Sequence, residues 1–497
     1  MRIRDLPALR KRLLAGLARP EGRLLLLLGM LWGLLLARLP LPEGGTLTLL
    51  AAVGVGSLLE PLVGVGAALL FGPLQAWLRA EFPHVPPLLG QYLFALAVAG
   101  WGLRGLRRRT LRLPTPPLLA PLLGFVGVAL LSLWSSADAW VGFLEWTKWG
   151  QILLVFLITY DRLKTSTGID LPAFLSASSR RGRDSRWLLL TFLCLAPLLQ
   201  SGVGLWQFAL RGTGPDHFLI REALYRAYGT FEQPNPYGGF IGMYAALLVG
   251  LIAAPLVERW TDGTSLPRWF WPLALVLAPI GAALGASWSR GAWMGFGAAL
   301  LAITARLPRR GLWGIVLVAL VVVGGAGLYL TGRLPPAVAD RLTGFLAYLR
   351  FEDVRGAPIN DANYAVLERL AHWQAALEMW RDHFWLGVGF GCYEPAYPDY
   401  ALINWPFALG HAHNYYLNLL AETGVLGLLA YLGLLGALLA RLWRLTRTQR
   451  GWRRGLALGL LGTSVHLAVH SLVDNLLVNN VHLFVGVLLA LAAWIDD

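Results

Sequence analysis

The sequence predicts an all-α, polytopic transmembrane helical bundle of about 12–14 helices, and three observations point there. Apolar types make up 56% of the 497 residues and charged types only 14%, against about 25% charged in a soluble domain. Apolar blocks close to the roughly 20 residues that cross a bilayer recur from one end of the chain to the other. Lys and Arg gather in alternate gaps between those blocks, as cytoplasmic loops do.

The blocks fall at 24–39, 46–59, 62–78, 87–103, 117–134, 139–159, 187–208, 236–257, 269–286, 291–305, 312–330, 414–440, 455–473 and 481–495. The second and third flank Glu60-Pro61, which reads equally as one broken hairpin. With residues 1–23 cytoplasmic, six basic clusters share the inner side: before residue 24, Arg104–Arg112, Arg162–Arg186, Arg259–Arg268, Arg306–Arg310 and Arg441–Arg454. Together they hold 29 of the 42 Lys and Arg residues, so a miscounted helix between two clusters would have put one outside. The net charge of +14 is thus a topology signal rather than a nucleic-acid surface, each charge contributing about 1 kcal/mol near an anionic leaflet. The N-terminal stretch is basic and then apolar but runs into Arg38-Leu-Pro-Leu-Pro without a small-residue cleavage site, the pattern of an uncleaved anchor.

The resulting organisation is a basic N-terminus at 1–23, membrane helices over 24–330, a long extracytoplasmic loop at 331–411, and C-terminal membrane helices over 412–497. Inside the loop, Val366, Leu367, Leu370, Trp373, Leu377 and Trp380 recur at helical spacing, predicting one or two amphipathic helices on the bilayer or capping the bundle. A loop of this length usually carries function.

The polar residues on the outer side are the candidates for chemistry. His411-Ala-His413-Asn414 stands where the loop re-enters the membrane. An imidazole there can act as a general base toward a hydroxyl, or simply cap the helix at the interface. Arg290 lies in a hairpin between two tryptophans, where an anionic ligand would offset the cost of a charge at that depth. Its planar fork suits phosphate; an interfacial anchor is the alternative. Arg369 shares a helix face with Trp373 and reads either as a site residue or as a solvated charge. Arg221 and Arg226 precede Gly229-Thr-Phe-Glu-Gln-Pro-Asn-Pro-Tyr-Gly-Gly239, and Asp474 follows His470-Ser471 on the same side. Glu145 and Lys148 are spaced as an intramembrane ion pair. Cys194 and Cys392 provide neither a disulfide framework nor metal spacing. There is no Asp-x-Asp, His-Glu-x-x-His or phosphate-binding glycine loop, so the expectation is chemistry without a cofactor or metal.

Taken in order, these motifs resemble the bacterial O-antigen ligase and polymerase superfamily. The matching pieces are Gly229-Thr-Phe-x-x-Pro-Asn, Ser289-Arg290-Gly-Ala-Trp-Met-Gly, Arg369-x-x-x-Trp373 leading to Trp385-Leu-Gly-Val-Gly389, and His413-Asn414 followed after nine residues by Gly424-x-x-Gly427. The last is similar to the histidine signature of the ligase branch, and the set covers roughly residues 225–475. The resemblance implies a glycosyltransferase C-like bundle in the bacterial cytoplasmic (inner) membrane, with its site facing the periplasm. It implies metal-independent, inverting transfer of a glycan from undecaprenyl pyrophosphate to an acceptor, the lipid A core in ligases. By motif position His413 is then the general base, and Arg290 and Arg369 stabilise the departing pyrophosphate. Arg226, Lys148, Asn414, His411 and Asp474 are the further substrate-binding candidates. Partners would be the lipid-linked donor, a glycan or protein acceptor and the bilayer, with no nucleic acid. Related branches keep three alternatives open: repeat-unit polymerase, protein O-oligosaccharyltransferase, and a transporter of the bicarbonate-transporter-like kind. The N-terminal pieces around Glu60-Pro61 have no counterpart role.

Overall fold

The computed structural model describes residues 20–83, 85–86, 88–109, 113–165, 185–349, 353–360 and 363–497. Residues 1–19, 110–112 and 166–184, which carry part of the basic topology signal, lie outside that set, as does the side chain of Arg221. The protein is an all-α polytopic membrane bundle. Each of the fourteen apolar blocks is helical, the third divided between two helices, and the two short strands pair with each other. Among the described residues, seven helices are long and apolar enough, by length and composition, to cross a membrane, and four more are apolar but shorter.

The first half comprises α1 (Pro20–Leu36), α2 (Leu41–Leu59), α3 (Leu62–Phe71), α4 (Gln75–Glu81), α5 (Leu89–Arg107), α6 (Leu119–Ser132), α7 (Ala139–Thr165) and α8 (Ser185–Ala209). Glu60-Pro61 separates α2 from α3, and the break gains a role: Arg162 closes a two-pronged pair on the Glu60 carboxylate at 3.0 and 2.9 Å. Glu60 is fully buried, so this charge is tolerated only because a guanidinium matches it.

A small hairpin, β1 (Leu219–Arg221) and β2 (Leu224–Tyr225), leads into α9 (Pro234–Asp262), the central helix. Pro234 starts α9, where a missing N–H costs nothing, and Gly263 ends it at φ +68°. Next come α10 (Phe270–Ala286), α11 (Arg290–Arg306) and α12 (Gly311–Leu330). The long loop holds α13 (Pro336–Thr343), α14 (Tyr364–Asp382) and the single turn α15 (Tyr393–Ala396); α16 (Tyr415–Thr448), α17 (Gly451–His470) and α18 (Val481–Trp494) finish the chain. α9 and α17 form the most extensive helix pair. Glycine makes it possible: a Cβ on Gly250 would stand 2.0 Å from the Gly459 nitrogen, the close backbone approach typical of membrane helices.

The predicted amphipathic helix is α14, and it caps the bundle by packing on α16 instead of lying free on lipid. Val366, Leu367 and Leu370 bury their side chains with Trp405, and Met379 joins Tyr393, Tyr397 and Ala421 in a neighbouring cluster. The anchor is a break in α16 at Gly424 (φ 62°, ψ −166°). There Val425 and Leu426 donate main-chain N–H bonds to Phe384 and Trp385. A Cβ on Gly424 would come within 2.3 Å of the Trp385 backbone, so this position requires glycine twice over.

The two ends of the bundle differ. One collects the ends of α8, α10, α12 and α17, the starts of α9, α11 and α16, and the long loop. The other is stitched by basic residues. Arg306 donates to Thr446 and Trp443, Arg454 to the Thr446 carbonyl, and Arg441 to Ala492.

Candidate active site

Four arginines meet at the loop-bearing end. Arg226 follows the hairpin, and the Ala227 N–H, donating to the Ala286 carbonyl at 2.9 Å, fastens that strand to the end of α10. Its guanidinium donates to the Ser287 carbonyl at 3.2 Å and to Asn235 at 3.0 Å. The Gly229-Thr230 turn beside it is held from α8: Gln207 accepts the Gly229 N–H at 2.7 Å and Gln200 accepts that of Thr230 at 3.2 Å.

Arg290 is the first residue of α11, whose cap Ser289 accepts the Ala292 N–H. Its guanidinium lies over the Phe345 ring at 5.3 Å. Arg341, on α13, donates twice to the Trp288 carbonyl, at 3.1 and 2.9 Å. Arg369, on α14, bonds the Ala365 carbonyl.

All four line one cavity of about 400 Å³, with His217, Asn235, Trp373, His470 and Asp474 also in its wall. None of the four makes an ion pair among the described residues. Burial, then the charges of Arg341, Arg290 and Arg369, push Arg226 down to about 9. Burial followed by Arg290 and Arg369 takes Arg341 to about 10. Both remain cationic at neutral pH, so the cavity concentrates like charge with no protein carboxylate paired to it. Such a cluster is costly alone and matched by an anion.

The histidine motif adjoins this cavity. Asn414 caps α16, accepting the N–H groups of Tyr416 and Leu417 at 3.0 and 3.1 Å. Asn418 accepts the Ala412 N–H at 3.0 Å, and the Tyr415 N–H donates to the Ser471 carbonyl at 2.8 Å. These bonds tie the motif to the end of α17 and hold His413 at φ 52°. The His413 N–H donates to His411 Nδ1 at 3.0 Å, which assigns the His411 proton to Nε2. That nitrogen faces Asp474 Oδ1 at 3.8 Å.

His413 meets His411 edge to face, ring centroids 4.5 Å apart, and His372 likewise at 5.6 Å. Both its ring nitrogens are buried without a partner. Burial first, then His411, Arg369 and His372, push it down to about 2, so it is neutral and weakly basic. His411, His413 and Asp474 each offer a ligand atom within 4.8 Å of the others, the grouping among the described residues that could hold a metal ion. The Arg369 charge, felt at both His411 and His413, opposes a cation there.

Of the residues singled out by sequence, Arg226, Arg290, Arg369 and Asp474 line the cavity, and His411 touches Asp474. His413 adjoins His411 without lining the cavity itself. Asn414 spends its carbonyl oxygen on the helix cap. Lys148 stands apart, paired with Glu145 at 2.6 Å within α7.

Sequence reasoning missed Arg341 and His470. Nothing local marks Arg341 in a loop helix. His470 carried a signal: His466 and His470 lie four residues apart on one helix face, opposite glycine-rich stretches. A Cβ on Gly291 would come within 2.7 Å of the His470 ring, and both its nitrogens are buried and unpartnered in the cavity wall.

An all-α membrane bundle with an arginine-lined cavity beside a histidine cluster defines the class of protein: a multi-pass membrane protein with a cationic cavity at one end. Residues 273–432, about a third of the chain, match the family model described as O-antigen ligase. The match runs from α10 to α16, taking in Arg290, Arg341, Arg369, His411 and His413 and leaving Arg226, His470 and Asp474 outside it. No curated protein matches the chain.

Proposed function

We propose that the chain is a glycosyltransferase that moves a glycan from undecaprenyl pyrophosphate to an acceptor hydroxyl at the periplasmic face of the inner membrane. The observation that carries this is the set of four arginines in one cavity without a carboxylate paired to them. The leaving group of such a transfer is a diphosphate that gains negative charge as the glycosidic bond breaks. Donors fixed in advance where that charge develops are the main catalytic requirement. In the step, the acceptor oxygen gives its proton to His413 and bonds to the anomeric carbon from the face opposite the diphosphate. The bond from that carbon to the diphosphate oxygen breaks with inversion, and Arg226, Arg290, Arg341 and Arg369 hold the departing group. Asp474 orients His411, and His411 with His372 fixes the ring of His413. A transport reading lacks support, because the candidate groups gather at one end of the bundle.

The test is purified protein incubated with a lipid-linked glycan and, separately, lipid A core, a second lipid-linked glycan or an exported protein. Transfer to one of them, retained in EDTA and abolished by His413→Ala without loss of membrane insertion, supports the reading. Turnover by that variant, or a strict metal requirement, refutes it.

A further inference from the structure

A second cavity, of about 330 Å³, opens at the opposite, basic end of the bundle. Its shaft is aliphatic: Leu189 and Leu193 of α8, Leu248 and Leu251 of α9, Leu273 of α10 and Leu456 of α17. Its rim is aromatic and basic. Trp187, Trp269, Trp452 and Trp494 surround the opening with Arg186. The Arg186 guanidinium lies 5.1 Å over Trp494, and that of Arg453 lies 5.7 and 5.8 Å from Trp452 and Trp494. No acidic side chain lines this cavity among the described residues.

We propose that this groove binds one anionic phospholipid of the leaflet at the basic end, with an acyl chain in the leucine shaft and the headgroup phosphate at Arg186 and Arg453. Tryptophan marks the headgroup level of a bilayer, so the rim sets the depth of the opening and the shaft points into the hydrocarbon. An aliphatic shaft offers a soluble anion nothing beyond the rim, whereas an acyl chain fills it. Guanidinium takes a phosphate oxygen pair in its fork, and basic recesses between membrane helices on this side suit anionic headgroups. The groove is separate from the arginine cavity. Its rim residue Arg186 starts α8, and Gln207, which holds the Gly229 turn, ends it. The stretch of helix between them spans about 32 Å, which puts the two sites at opposite ends of a 25-residue helix.

The test uses the full-length protein in detergent, titrated with phosphatidylglycerol or phosphatidylcholine and read by native mass spectrometry. One phosphatidylglycerol should be retained in preference to phosphatidylcholine. Arg186→Gln and Arg453→Gln should each weaken it by about fivefold, and Leu248→Trp should abolish it by filling the shaft. Equal retention of both lipids, or binding unchanged in the double arginine variant, overturns the proposal. The wild-type protein supplies a second measurement, because Cys194 lies in the groove wall while Cys392 is buried elsewhere. Phosphatidylglycerol vesicles should slow labelling of Cys194 by an apolar thiol reagent more than phosphatidylcholine vesicles do. Identical labelling rates, or equal protection by inorganic phosphate alone, overturn it.

Discussion

Replacing Arg290 by Ala separates a ligand site from a structural one, because stability and activity should move in opposite directions. In the empty protein the Arg290 charge works against the fold, since it helps push Arg341 down to about 10 and Arg226 to about 9. No carboxylate pairs with it, and its main contact is the Phe345 ring at 5.3 Å. Removing the charge relieves that repulsion and loses only a cation–π contact of about 0.5–1 kcal/mol. The melting temperature should therefore hold or rise. With the donor bound the balance reverses. A guanidinium about 4 Å from a phosphate contributes about 4 kcal/mol at an effective dielectric constant of 20, and deletion of a donor to a developing anion costs about 2.7–4 kcal/mol. The expected loss in kcat/KM is about 10²–10³. Arg290→Lys keeps a point charge but loses the fork, and should fall between the wild type and Ala. The assay is transfer from a lipid-linked glycan in nanodiscs, paired with a thermal melt of the same preparation. Activity within twofold of wild type, or a melting temperature that falls along with activity, refutes the reasoning.

Other expectations follow from the same geometry. Lys148→Gln breaks a half-exposed pair with Glu145 and should change stability by under about 1 kcal/mol and transfer by less than twofold; a loss as large as that of Arg290→Ala would return Lys148 to the site. His470→Ala opens the cavity wall without breaking a hydrogen bond and should raise KM for the donor more than it lowers kcat, as steady-state kinetics will show. Acidification should destabilise the protein. Burial, its first cause, takes His372 down to about 4 and His413 to about 2, from an ordinary 6.5. Between those values the unfolded chain binds protons that the fold refuses, so stability falls as pH drops below about 6.5. A thermal melt that is flat from pH 7 to 5, or a slope unchanged in His413→Leu, contradicts that.

The membrane helices were legible because lipid imposes a length and a composition on every crossing, and the basic clusters counted them. The site was legible where a motif is local: Arg290 beside its serine cap, and His411 and His413 at the mouth of α16. Two kinds of information were not. Arg341 reaches the cavity only because α13 folds back to the Trp288 carbonyl, a long-range contact that no local pattern encodes. Glu60 read as an odd break between two apolar blocks, and its partner Arg162 lies 102 positions away. Lys148 shows how far spacing alone reaches. Its helical spacing to Glu145 correctly gave the ion pair, but nothing in that spacing says which way the pair faces.

The depressed basicity of His413 looks like an objection to its role, since a general base works best near the operating pH. Its causes answer part of the objection. After burial, the remaining influences are His411, Arg369 and His372, and the Arg369 guanidinium lines the cavity proposed to take the diphosphate. On the reading proposed above, a bound diphosphate offsets the Arg369 charge and raises the pKa of the imidazole, while the larger effect of burial stays. A hydroxyl, including that of water, then meets a weak base in the empty site and a stronger one in the loaded site. The acid limb of kcat/KM reports the free enzyme and that of kcat the donor complex, so with donor as the varied substrate the kcat limb should lie at higher pH. Arg369→Gln removes the nearest cavity charge from the causes and should move the kcat/KM limb upward, toward the kcat limb. Coincident limbs in the wild type, or a downward move in the variant, would remove His413 from the chemistry and leave it as packing behind His411.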